Sequence, residues 1–189
     1  MQTNIRPIAL AMALSLMTLP ALASGVEADW HFLPGGGALH AAADLNLSRF
    51  FALEATGWLP LAGGAAGAPN LVDGRALFTI PVSSFLGLGV VIAPWAGYRA
   101  AFTGGSVSHG PGFGLQLAVE NHDFPLSFKL EGGAFPFMSN SGPNWFDYAG
   151  SVGYQIMDNI QVLGGFRGIV QTGGAQPIMG PFLGARFGT

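Results

Sequence analysis

His31 and His40 stand in a stretch where polar and apolar residues alternate, and Asp29 precedes the first of them by two positions. In an extended chain, residues two apart share a face. A turn over residues 34–37 sets His31 opposite His40, on the same face as Asp29, with Trp58 beside His40. Two imidazoles and a carboxylate suit two kinds of chemistry: ligation of a transition metal, and acid–base catalysis. The first calls for a further ligand and the second for a placed nucleophile, and the spacing supplies neither. Asp29, His31 and His40 are therefore the candidates for a site at one mouth of the fold, while no catalytic residue, metal or cofactor is assigned. His109 and His122 fall in a loop and a turn and have no such company.

A second constellation is electrostatic. Glu54, Arg75, Arg99, Glu120, Lys129, Glu131, Asp147 and Arg167 all fall on the face of their strand that carries the charges, as do Glu27, Asp29, Asp44 and Arg186. Crowded into a low-dielectric interior, such groups must pair. Lys129 and Glu131 are two positions apart on one strand, and Arg99, Arg167 and Glu54 are candidates for partners across the interior. Exchangeable pairs would line a polar conduit or gate. A solid, salt-bridged plug is the expectation preferred here, because side chains just fill a barrel of about eight strands and ten widen it little.

Other chemistry is missing. The glycine-rich stretches "PGGGA" and "AGGAAGA" lead into no helix and no Gly-Lys-Ser/Thr, so they are loops and not phosphate cradles. Neither Gly-x-Ser-x-Gly nor His-Glu-x-x-His occurs. With no cysteine there is no disulfide framework, thiolate metal site or thiol nucleophile. A formal charge of −3 argues against a nucleic-acid partner.

The elements that must position these residues are strands. Only 9% of the 189 residues are charged, and 30 are Gly and 13 Pro. Soluble globular domains carry about 25% charge, helices disfavour Gly and Pro, and disorder needs low hydrophobicity. Residues 8–19 form an uncharged apolar run after Arg6, followed by Pro20 and Ala21-Leu22-Ala23. That is the pattern of a cleaved secretory signal peptide over 1–23, too short for a comfortable membrane anchor. Residues 24–189 then form one β domain, in which no 18-residue apolar segment suggests a membrane helix.

Alternation and turn residues predict ten strands, with eight as the alternative: 26–33, 38–47, 50–61, 74–82, 85–102, 112–121, 126–137, 145–157, 160–172 and 177–188. Short connections alternate with longer ones at 62–73, 103–111 and 138–144, the habit of up-and-down membrane barrels with both termini at one end. In "SFKLEGGAFPF" (127–137) Lys129 and Glu131 oppose Phe128 and Leu130. About one charge per strand is far too few for the outside of a soluble barrel, whose surface carries roughly 25–35% charged residues. On a lipid-facing surface an Arg or Lys would cost about 2–4 kcal/mol at mid-bilayer. The charges are therefore expected inside and the apolar face outside, with aromatics such as Trp30, Phe32, Tyr98, Phe146, Tyr148 and Phe187 near strand ends.

"YQIMDNIQVLGGFRG" (154–168) followed by "GPFLGARFG" (180–188) resembles the closing hairpin of small bacterial outer-membrane barrels of the OmpA/OmpW type. That resemblance implies a closed antiparallel barrel in the outer membrane of a Gram-negative bacterium, reached by export through the inner membrane. It implies outer-membrane lipid and the barrel-insertion machinery as partners, with Phe182, Gly184 and Phe187 as the insertion signal. The family usually ends on Phe, whereas this sequence reads Phe187-Gly188-Thr189, which shifts or weakens that signal. The expected role is non-catalytic, as an envelope component or a narrow pore for small solutes. The rivals are a barrel enzyme acting on lipid or peptide through His31 and His40, and a soluble secreted β protein.

Overall fold

A computed structural model describes residues 24–61, 68–85, 88–121, 124–136, 138–139, 143–173 and 177–188; the expected signal peptide and His122 lie outside them. Those residues form strands and turns and no helix. In chain order the strands are β1 (Gly25–Leu33), β2 (Gly36–Ser48), β3 (Phe51–Pro60), β4 (Asn70–Phe78), β5 (Ile80–Phe85), β6 (Leu88–Thr103), β7 (Ser106–Asn121), β8 (Leu126–Phe135), β9 (Trp145–Met157), β10 (Ile160–Gln171) and β11 (Ile178–Gly188). Apart from β4 and β5, which do not pair with each other, sequence neighbours pair antiparallel; β1 pairs with β11 and β4 with β6, which closes the sheet.

The barrel has ten staves, and the extra strand arises from a break at Thr79. The register against β6 runs on unchanged from Leu77↔Trp95 in β4 to Ile80↔Ile92 in β5. β4 and β5 are thus two halves of one stave, and only the first half also pairs with β3. Both described termini lie at one end, here called the terminal end; the opposite end is the loop end.

Two turns at the loop end are tighter than their sequences suggest. Residues 34–35, not 34–37, turn β1 into β2, with Gly35 at φ 84°. Residues 103–111 do not form a loop: Gly104-Gly105, at φ 56° and 91°, make a two-residue turn, and β7 begins at Ser106. Two consecutive positive-φ residues match the twist of a hairpin, and glycine adopts them without strain. The short–long alternation therefore survives at this end mainly at 61–69 and 136–144.

Every charged residue within a described strand points inward, and the outward positions away from the strand ends are aliphatic, aromatic, Ala, Gly or Pro, with His109 near the start of β7 the polar exception. Phe128 and Leu130 are exposed, at 49% and 58%, whereas Lys129 and Glu131 between and beyond them face the interior. Inside, the loop-end half is filled by an apolar cluster that includes Leu33, Ala38, Trp58, Leu71, Trp95, Phe135, Trp145, Ile169 and Ile178.

Glycine makes room for it. Trp95, Gly114 and Gly133 stand in one row across β6, β7 and β8, and a Cβ on either glycine would fall inside the Trp95 indole. A Gly133→Ala barrel is expected to lose about 1–3 kcal/mol of stability, because a packed core resists overfilling. A urea titration followed by tryptophan emission checks this; an unchanged midpoint and spectrum would mean that the indole has slack.

Candidate functional site

The interior charges gather in three groups along the barrel axis. The largest lies at mid-height around two arginines. Arg99 on β6 reaches Asp73 on the adjoining β4 with Nε to Oδ1 at 2.7 Å and Nη2 to Oδ2 at 2.6 Å. It also spans the interior to Asp147 on β9, with Nη1 donating to Oδ1 at 2.9 Å and Nη2 against Oδ2. Arg75 on β4 donates to Glu54 on β3 at 3.3 Å and to Asp73 at 3.2 Å, and crosses to Glu131 on β8. Lys129 lies 3.8 Å from Glu131 and 4.0 Å from Glu54. Both guanidiniums also sit on the apolar cluster, Arg75 4.5 Å from the centre of the Trp95 ring and Arg99 3.9 Å from that of Phe135. Charge-assisted bonds to several carboxylates, with ring faces beneath, suit the planar guanidinium.

Of the eight residues that the sequence pattern places in one lumen network, Glu54, Arg75, Arg99, Lys129, Glu131 and Asp147 meet here, and Glu120 and Arg167 do not. It misses Asp73, the hub that both arginines share. The expected strand begins at residue 74 and leaves Asp73 in the connection 62–73, whose Gly, Pro and Asn read as turn residues. The usable signal is Leu71, Asp73, Arg75 and Leu77, an unbroken period of two whose four members are all buried.

The second group joins β1, β2, β10 and β11. The tight 34–35 turn moves the register by two from the expected one: His40 pairs with Asp29, and His31 pairs with Ala38. A shift of two keeps every residue on its face, so both histidines still point inward, but Asp29 becomes the direct neighbour of His40. Trp58 does pair with His40. His40 Nδ1 lies 2.7 Å from Asp29 Oδ2, and its Nε2 lies 2.9 Å from Arg167 Nη1. Arginine can only donate, so Nε2 accepts and the proton sits on Nδ1, donated to Asp29. Arg167 thus leaves the central network and caps a chain that runs through His40 to Asp29.

His31 is completely buried, packed at a tilt between Trp58 at 4.4 Å and Phe182 at 4.9 Å. Its Nε2 abuts Asp29 Oδ1 without the alignment of a hydrogen bond, and its Nδ1 has no partner among the described residues. Among the described residues no hydroxyl hydrogen-bonds to His31 or His40, and both rings are buried rather than open at a mouth.

The third group faces the terminal end. A cavity of about 200 Å³ opens there, lined by Glu27, Asp44, Glu54, Glu120, Lys129 and Arg186 among others. Arg186 donates to Asp44 at 2.9 Å. Glu120 is exposed, away from the central network, and has no ion pair among the described residues. The three residues of the expected insertion signal do not share a face. Phe182 and Gly184 point inward, where Gly184 leaves room for the Asp29 side chain, and Phe187 points outward and is exposed. His109 is on β7 rather than in a loop; its Nδ1 lies 2.5 Å from the Tyr98 hydroxyl on the outer face.

No protein-family model matches the sequence, and no curated protein is significantly similar to it. Among solved structures, the chain is similar to the N-terminal β-barrel domain of OprF from Pseudomonas aeruginosa, at 12% identity and a TM-score of 0.41, over 86% of this chain and 94% of that one.

Proposed function

We propose that this protein is an integral barrel of a bacterial outer membrane, serving as a structural envelope component whose lumen is closed. The observation that carries the reading is the sorting of charge: every charged residue of the described strands faces inward, and the exterior is mostly hydrocarbon and glycine. A soluble domain rarely exposes an apolar patch beyond a few hundred Å², whereas a bilayer requires such a belt and a closed sheet without edges. The closed lumen is supported by the buried layer of Arg75, Arg99, Trp95, Phe135 and Trp145, which lies between the terminal-end cavity and the loop end. The terminal end is assigned to the periplasm. Export by a signal peptide over 1–23 and recognition of the last strand, through Phe182, Gly184 and Phe187, by the insertion machinery belong to the same proposal.

Membrane fractionation and planar-bilayer recording test the two halves separately. The protein is expected to stay with outer-membrane vesicles until detergent is added, and partition into plain buffer would end the membrane reading. Inserted barrels are expected to pass no sustained current, and a steady single-channel conductance would replace the closed lumen with a pore.

A further inference from the structure

We infer that Asp29, His31 and His40 form a three-ligand site for a divalent transition ion of the zinc class. The inference is independent of whether the lumen conducts. One nitrogen from each ring and one carboxylate oxygen lie within 4.8 Å of one another, and all three residues are buried. Imidazole and carboxylate are the ligand set that borderline ions such as Zn²⁺ and Co²⁺ take from proteins, commonly with three protein ligands and one open position.

The decisive feature is His31. It is fully buried, its Nδ1 has no hydrogen-bond partner among the described residues, and its Nε2 meets only the Asp29 carboxylate, without hydrogen-bond alignment, which is a costly arrangement. An ion would take the place of the direct His31 Nε2–Asp29 Oδ1 contact, with the two atoms moving apart to ligate it. His40 Nδ1, already turned to the other oxygen of Asp29, supplies the third ligand.

Arg167 sets the terms of binding. His40 Nδ1 can ligate only after its proton moves to Nε2, and Nε2 then becomes a donor facing the donor Nη1 of Arg167. The ion and the Arg167–His40 hydrogen bond therefore exclude each other, and the guanidinium charge also opposes the ion. Binding a metal releases Arg167, on β10, from His40, on β2.

The test uses tag-free, folded barrel in detergent, with folding verified by heat-modifiable gel mobility and Co²⁺ as the probe. The folded chain is expected to retain one Co²⁺ through gel filtration, with the visible absorption of low-coordinate cobalt. Asp29→Asn and His31→Gln are expected to abolish both. Arg167→Met, which removes the competing cation and contributes no ligand, is expected to tighten retention about tenfold or more. The inference fails if neither the folded parent nor Arg167→Met retains cobalt, or if folded Asp29→Asn and His31→Gln chains retain it unchanged. Should those two variants not fold, the parent and Arg167→Met decide the matter through stoichiometry and spectrum.

Discussion

An Arg99→Met barrel is expected to unfold with about 3–5 kcal/mol less free energy than the parent, the usual cost of leaving a buried ion without its partner. Arg99 is 2% exposed and makes two hydrogen bonds to Asp73 and a forked contact to Asp147. Methionine fills most of the space over Phe135, so the loss reports charge and not a cavity. Asp73 keeps one bond from Arg75 at 3.2 Å, and Asp147 keeps that guanidinium only at 4.0 Å. Two carboxylates then share one arginine that already serves Glu54 and Glu131. Adding Asp73→Asn and Asp147→Asn to Arg99→Met is expected to recover much of the loss, since removing a whole buried cluster costs far less than orphaning part of it. Urea titration of barrels in lipid vesicles measures both. A loss under about 1 kcal/mol for Arg99→Met would place the pair in the range of exposed ion pairs and would mean that water reaches this layer.

The other large effect lies on the opposite face. Leu130 sits in the middle of β8, 58% exposed, between Leu117 and Gly150 of the flanking strands. Leu130→Arg is expected to destabilise the barrel by about 2–4 kcal/mol in a bilayer, the cost of a guanidinium on the lipid face near the midplane. On a soluble protein the same exposed position would tolerate arginine to within about 0.5 kcal/mol. The measurement therefore separates the two environments: vesicle-based unfolding with the full penalty supports lipid at Leu130, and a neutral result places water there. Because Lys129, one residue earlier, points the other way, the pair tests the face assignment at a single step along the chain.

Much of this was legible in order along the chain. The face of Lys129 and Glu131, the inward set from Glu54 to Arg167, and the number of staves all follow from a period of two, which each strand displays by itself. Asp73 was hidden because the turn residues around it outweighed four alternating positions. The partner of His40 was hidden because a turn of two residues and a turn of four differ in register without differing in which face is buried. Arg167 carried the same face as Arg99, yet alternation cannot say whether an inward arginine meets a carboxylate or, as here, an imidazole.

By itself the sequence determined an all-β chain with ions on one face and hydrocarbon on the other, since pleating puts neighbouring side chains on opposite sides whatever the rest of the molecule does. Tertiary structure alone decided that Arg99 finds Asp147, that Arg75 finds Glu131 and that Asp29, not His31, stands directly opposite His40. The first two are contacts between strands that do not touch in the sheet, and their relative height depends on the stagger accumulated around the closed barrel. The last depends on the two-residue turn that sets the register of β1 against β2. No single strand contains that information, because the stagger is a property of the whole circuit.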